Sequence, residues 1–200
     1  MEVYTMFNYP VLPAKRLTGS VQISRPTPPR SISLDSPAIY VMTDLRYIYA
    51  AVIEPSITIE SANILMILRG VRSLLVLNQD RALGGIITAT DILGEKPLRF
   101  IQERRVKHNE ILVADIMTPL DQMEAIQISE VMHAKVGHVI SSLRESGRQH
   151  TLVIENNHDG ESVVCGIFSS TQIEKQLGAI IQFTEVAKTF AEIEAAVIAH

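Results

Sequence analysis

The feature that most constrains this chain is that one order of elements runs through it twice. In each half the pattern reads strand, helix, glycine, strand, turn, strand, hydroxyl, helix. Gly70 and Gly147 correspond, as do Val76 and Val153, both pairs 77 residues apart. Gly85 and Gly166 are 81 apart, and the growth falls in the longer second turn, Asn156-Asn157-His158-Asp159-Gly160. Loops absorb insertions that strands do not, so drift confined to a turn supports a true duplication. Two hundred residues built this way predict two small units of one plan, with enough chain to bury a core.

In the first half, the β-branched residues of Ala50–Ile59 around Pro55 predict a strand that turns into a helix. That helix, Glu60 to Arg69, is apolar nearly all round and meets a C-capping glycine at Gly70, so burial on more than one side is expected. Leu74-Leu75-Val76-Leu77 is a strand, Asn78-Gln79-Asp80 a turn, and Leu83–Ile87 the returning strand. The helix after Thr88 ends near Gly94, before Pro97. Residues 98–111 form a charged connector, read as a solvated helix face rather than a phosphate-binding patch. The pattern restarts at residue 112, where Val113-Ala114-Asp115-Ile116-Met117-Thr118-Pro119 loosely echoes Val41-Met42-Thr43-Asp44-Leu45. Val136, Val139, Ile140 and Leu143 carry helical spacing up to Gly147. Leu152-Val153-Ile154 and Val163–Phe168 are the paired strands, and Ser169-Ser170-Thr171-Gln172 opens the last helix of the unit.

The two ends differ from this plan. Residues 1–37 hold six of the nine prolines, which excludes a long helix or a central strand and predicts an extended Pro-rich arm. Val21-Gln22-Ile23 is the one stretch there that reads as a short edge strand. Residues 177–200 read as an amphipathic helix capped by Thr184, with Val186, Phe190, Ile193 and Val197 in a stripe. Ala187, Ala191 and Ile198 widen the stripe, Glu194 interrupts it, and Glu185, Lys188 and Glu192 fall elsewhere. Such a helix needs a surface: packing on the repeats is the default, and a dimer contact the sharper option.

The chemistry-bearing stretch is Gly85-Ile86-Ile87-Thr88-Ala89-Thr90-Asp91. A strand that ends in a hydroxyl and passes into a helix aims backbone N–H groups and a positive dipole end at one point, a seat for an anion. Thr88 adds a hydroxyl toward a phosphate, and Asp91, one turn on, is placed to accept from a diol. The alternative is that Thr88 is only an N-cap and Asp91 a favourable first-turn acid. Recurrence of the unit in the second half favours the anion reading.

Other functions find little support. The net charge of −4 argues against a generic nucleic-acid surface, although the arm and Arg104-Arg105 are locally basic. The six histidines show no metal-ligand spacing, and His133 and His138, five apart, do not share a helical face. There is neither a Gly-x-Ser-x-Gly elbow nor a Walker loop, so no enzyme activity and no metal are expected. The single cysteine, Cys165, lies in an apolar run and reads as a buried structural thiol. No apolar run reaches membrane-spanning length and no signal-type segment opens the chain, so it reads as a cytoplasmic protein without a membrane partner.

Gly85-Ile86-Ile87-Thr88-Ala89-Thr90-Asp91-Ile92-Leu93, preceded by Gly70-Val71-Arg72-Ser73-Leu74-Leu75-Val76, resembles a cystathionine-β-synthase (CBS) domain. Asp115-Ile116-Met117-Thr118-Pro119 resembles the opening of a second repeat, and Gly166-Ile167-Phe168-Ser169 its later signature. The resemblance implies an α+β fold of two βαββα repeats, residues 38–97 and 112–176, packed sheet to sheet about a pseudo-twofold axis. It implies clefts that bind an adenine nucleotide (AMP, ADP or ATP) as a regulatory ligand, with no cofactor required. Carried over, the site residues are Gly85, Ile86, Thr88, Thr90 and Asp91 in the first repeat and Gly166, Ser169 and Gln172 in the second. Thr88 would touch phosphate and Asp91 the ribose hydroxyls. Gln172 stands where the acid would be, which weakens or repurposes the second cleft, since an amide lacks a charge-assisted bidentate acceptor. The resemblance also implies a homodimer and, with no output domain in the chain, an unidentified protein partner acting in trans. A ligand-free dimerisation scaffold is the competing reading.

Overall fold

The computed structural model describes residues 12–23 and 31–180. The chain divides into a unit of Met1–Ser31 and a larger unit of Ile32–His200. In the first, residues 12–23 carry neither helix nor strand. The edge strand expected at Val21-Gln22-Ile23 is therefore absent: all three residues are exposed and none has a ladder partner. The stripe expected over residues 184–198 lies outside the described residues.

In the larger unit, a 3₁₀ turn (Ala38–Val41) leads to β1 (Thr43–Asp44) and β2 (Val52–Ile53), then α1 (Ile59–Arg69). β3 (Ser73–Leu77) and β4 (Leu83–Thr88) follow as a hairpin, then α2 (Ala89–Leu93) and α3 (Lys96–Arg104). α4 (Val113–Ile116) precedes β5 (Thr118–Pro119) and β6 (Ala125–Gln127), then α5 (Ile128–His133) and α6 (Val136–Ser146). β7 (His150–Asn156), β8 (Ser162–Ser169) and α7 (Ser170–Leu177) complete the described part. Local chemistry sets many of these boundaries. The Thr58 hydroxyl accepts from the Ser61 N–H to start α1. Gly70, Gly147 and Gly178 close α1, α6 and α7 in the left-handed conformation, where a Cβ would be strained.

Two four-stranded sheets result, ordered β2-β3-β4-β5 and β1-β8-β7-β6. The central hairpins are antiparallel, while β2 on β3 and β6 on β7 are parallel. Each sheet has a core against its own helices: Ile59, Met66, Leu74 and Ile87 in the first, and Leu143, Val153, Phe168 and Ile173 in the second. A third cluster, Leu75, Ile86 and Leu152 with Leu45, Val164 and Ile167, joins residues of both sheets. Strand alternation sends Leu74 and Val76 to the helices and Leu75 to the other sheet, so both faces are buried and the strands read as continuous apolar runs.

Each sheet takes an edge strand from the other half of the chain. β1 pairs antiparallel with β8 and β5 with β4, so Thr43 faces Ile167 and Ile86 faces Thr118. Residues 32–37, placed in the arm by the sequence reading, also lie in this unit: Leu34 and Ser36 carbonyls accept from the N–H groups of Gly137 and Val136. The loose echo between residues 41–45 and 113–119 becomes a register here, since Met42-Thr43 and Met117-Thr118 hold equivalent places at the start of their edge strands.

The expectation for α1 is corrected. Ile59, Ala62 and Met66 are buried, but Ile64, Ile67 and Leu68 are exposed, so among the described residues the helix is covered along one side only. It lies as the outer layer on one sheet, and a helix in that position meets the core along a single stripe. The opening strand of the second half, to which the sequence reading gave no residues, is β6; α5 has no counterpart in that reading, being short and separated from α6 by the extended Ala134.

Candidate functional site

Two clefts open between the halves of the pair, each a cavity of about 330 Å³. Each combines the strand–helix junction of one repeat with the segment after the glycine-capped helix of the other. The first cleft joins Thr88, Thr90 and Asp91 to Gly147–Leu152. The second joins Ser169, Thr171 and Gln172 to Arg69–Ser73. Backbone bonds anchor the junctions equivalently: the Ala89 N–H donates to the Arg72 carbonyl and the Ser170 N–H to the Gln149 carbonyl, each at 2.9 Å.

Of the predicted site residues, Ile86, Thr88, Thr90 and Asp91 line the first cleft, and Ser169 and Gln172 the second. Gly85 and Gly166 line neither. They sit where the borrowed edge strands cross, Gly85 opposite Pro119 and Gly166 opposite Asp44. A Cβ on Gly85 would collide with the Thr118 carbonyl oxygen, and one on Gly166 would meet Met42 Sδ at 2.5 Å.

At the first junction the donors read as free are largely engaged. Asp91 Oδ2 accepts from the Thr88 N–H (2.8 Å) and hydroxyl (2.7 Å), and the Asp91 N–H donates to Thr88 Oγ1 (3.2 Å), a reciprocal capping box. Asp91 Oδ1 pairs with Lys96 Nζ at 2.6 Å, and that ammonium also donates to the Ile116 carbonyl. Thr90 Oγ1 donates to Gln149 Oε1 across the pair. Arg148, the one arginine or lysine in this cleft, donates to the Gln122 carbonyl at 2.5 Å. The polar groups here largely satisfy one another.

The second junction is different. Ser169 makes no side-chain cap on α7. Arg69, Arg72 and Lys175 line the cleft with no aspartate or glutamate among the other lining residues. Among the described residues none of the three cations is in an ion pair, whereas Lys96 is. Sequence reasoning missed all three. The signal available was the correspondence of Gly70 with Gly147, which marks residues 69–73 as the counterpart of 146–150, but nothing local says that a helix end faces the junction of the other repeat.

His150 lines both clefts and pairs in β-register with Ser169. Its Nδ1 is buried without a hydrogen-bond partner. Burial, opposed by Asp91 and aided by Arg72, pushes its pKa down to about 4. The ring is therefore neutral near pH 7. In the unfolded chain it takes up a proton near its ordinary value of about 6.5, so its contribution is full above that pH and is lost as pH falls toward 4. We expect a loss on the order of 2 kcal/mol over that window from this residue. Urea midpoints at pH 7 and pH 4.5 test it: the acid-induced drop should shrink in His150→Gln, and an unchanged drop would exclude His150 as its source.

The remaining titratable groups behave structurally. His133 Nδ1 lies 2.8 Å from the Ser129 carbonyl and His138 Nδ1 accepts from the Lys135 N–H. Cys165 is buried, its Sγ directed at the Val153 carbonyl, and burial raises its pKa. Among the described residues no group of three or more His, Cys, Asp or Glu side chains gathers to hold a metal, and no helix is long and apolar enough to cross a membrane.

Residues 38–97 match the family model of the CBS domain. The described fold is similar to that of a solved CBS domain, NE2398, with a TM-score of 0.52 at 20% identity over 72% of this chain and 99% of that one. Residues 38–97 thus match a CBS domain, and the fold of the described residues is that of solved CBS-domain proteins. An uncharacterized conserved protein from Pyrococcus horikoshii is similar in the same way, with a TM-score of 0.51 at 23% identity over 72% of this chain and 93% of that chain. A search of curated proteins finds no match. In this fold the duplication read from glycine spacing corresponds to the two sheets, and the strand–helix junction of each repeat borders its own cleft.

Proposed function

We propose that this CBS pair is a non-catalytic regulatory module that senses an adenine nucleotide, with the phosphates held in the second cleft. The observation that carries this reading is the set of three cations, Arg69, Arg72 and Lys175, facing Ser169, Thr171 and Gln172 without a carboxylate among the lining residues. Unpaired cations of one sign in a concave site attract a polyanion, and arginine adds paired donors suited to phosphate oxygens. Tyr49 and Ile48, exposed at the same cleft, offer apolar area for a purine ring. Gln172 provides one carbonyl acceptor and an amide donor for ribose hydroxyls. A cavity of about 330 Å³ is at the lower end of the range for small-molecule sites. The motif alone weights the first cleft, through Gly85, Ile86, Thr88, Thr90 and Asp91; the charge arrangement supports the second.

A ligand here would touch α7 of one repeat and the end of α1 of the other. It shifts the pair toward whichever arrangement of the repeats it binds better, and a protein partner in trans reads that shift.

Calorimetric titration of AMP, ADP and ATP tests the assignment. We expect one site per chain, affinity rising with phosphate number and falling with salt, and at least a tenfold loss in Arg72→Ala/Lys175→Ala. Binding that survives this double substitution but is lost in Asp91→Asn would place the ligand in the first cleft. Absence of heat for every nucleotide would return the weight to a ligand-free scaffold.

A further inference from the structure

Among the described residues, His150 is the one side chain common to the linings of both clefts. The duplication supplies an internal control. With the 77-residue offset the counterpart of His150 is Ser73, and each residue opens the first strand of its central hairpin. Ser73 faces Thr88 in register, and His150 faces Ser169. The fold accepts a small hydroxyl at this place, so an imidazole is not a demand of the repeat architecture. Nδ1 of His150 is moreover buried with no hydrogen-bond partner, a destabilising arrangement that a packed interior ordinarily avoids.

We propose that His150 is the proton-linked member of the second cleft: a phosphate chain bound against Arg69, Arg72 and Lys175 draws a proton onto its imidazole. This rests on the placement of the phosphates in that cleft. By itself the chain holds the ring neutral: desolvation dominates, Asp91 opposes it and Arg72 adds to it. An anion reverses the balance. It offsets the charge of Arg72 and brings oxygens that accept from an imidazolium N–H, and both effects favour the charged ring. The charged ring then answers negative groups on both sides, Asp91 in the first cleft and the phosphates in the second.

The other charged and titratable groups around the ring do not duplicate this role. Glu124 and Arg148 line the first cleft with opposite signs, and Arg148 is held by the Gln122 carbonyl. Tyr49 is the other titratable side chain of the second cleft besides its three cations. On α5, which packs against β7, Glu130 and His133 line a separate cavity with His138. Elsewhere on β7 and β8, Glu155 pairs with Arg46, and Cys165 is buried against the Val153 carbonyl. Histidine is also the side chain whose charge changes most readily between pH 5 and 8. The sign follows from linkage. Binding that raises the ring's proton affinity takes up a proton, and by reciprocity a lower pH tightens binding. A ring returned to its ordinary value of about 6.5 makes ATP bind about tenfold tighter at pH 5.5 than at pH 7.5.

Calorimetric titration of the full chain with ATP at about pH 6, in MES and in Bis-Tris at one ionic strength, counts the protons taken up. The terminal phosphate of ATP titrates in the same range, so His150→Gln serves as the reference. We expect the unaltered chain to take up roughly 0.7 proton more per bound ATP than His150→Gln, and the tenfold tightening at low pH to be missing from the variant. NMR of the unaltered chain makes the test independent of how the variant folds. The His150 ring signal should titrate near pH 4 alone and near about 6.5 with saturating ATP. ATP binding with equal uptake in both proteins would overturn this inference alone, as would a ring that titrates at one pH with and without ATP. Uptake that persists in Arg72→Ala/Lys175→Ala would also overturn it, because the negative charge would then arrive in the first cleft. Absence of ATP binding to the unaltered chain would overturn the placement of the phosphates and this inference together.

Discussion

Gly85→Ala is expected to lower the unfolding free energy by roughly 3 kcal/mol, while Gly166→Ala, its counterpart in the other repeat, costs only about 1 kcal/mol. The two glycines do the same job. Each lets an edge strand from the other half of the chain cross close to the hairpin. What lies opposite differs. A Cβ on Gly85 meets backbone, the Thr118 carbonyl oxygen first and then Pro119 Cα at 3.1 Å. Relief there means pulling β5 off β4. A Cβ on Gly166 meets only the Met42 side chain, at 2.5 to 3.0 Å, and an unbranched thioether can turn away. Urea denaturation of the two variants, with Gly70→Ala as the reference for a left-handed glycine in open space, decides the matter. Equal small losses at Gly85 and Gly166 would mean that β5 yields as easily as Met42 does.

Asp91→Ala is expected to destabilise the chain by about 3 kcal/mol, against less than roughly 0.5 kcal/mol for Gln172→Ala at the corresponding place. Asp91 is 9% exposed, and its carboxylate answers the Thr88 N–H, the Thr88 hydroxyl and the Lys96 ammonium together. Truncation removes the cap of α2, a helix of only five residues, and leaves a part-buried N–H and an ammonium without their acceptor. Gln172 makes no such bonds to Ser169, which is uncapped. Chemical denaturation of both variants measures the difference, and a loss below 1 kcal/mol in Asp91→Ala would refute the structural weight given to the capping box. A binding defect in Asp91→Ala is therefore interpretable only beside its stability. Arg72 and Lys175, which stabilise no neighbour by an ion pair, make cleaner probes of the clefts.

Much of this protein was legible in one dimension. Leu74–Leu77, Leu83–Ile87, Val136–Leu143 and the capping glycines Gly70 and Gly147 declare themselves because strand alternation, helical spacing and positive φ are local requirements. The duplication followed from equal offsets between those local signals. Thr88 and Asp91 were legible as a pair for the same reason: a capping box closes within three residues, whatever the rest of the chain does.

What tertiary structure alone decided has a common cause: each of these features depends on residues far apart in sequence meeting across the pair. β1 and β5 join the sheets of the opposite halves, and a two-residue strand has no pattern that names its partner. α1 was expected to be buried on more than one side, yet Ile64, Ile67 and Leu68 are exposed, because composition cannot say how many neighbours a helix has. Arg69, Arg72 and Lys175 are unremarkable charges along the chain and become one cleft wall only when two repeats face each other. Local sequence determined the elements and their caps through short-range sterics and hydrogen bonds. The packing of one sheet on the other determined which of those elements would share a site.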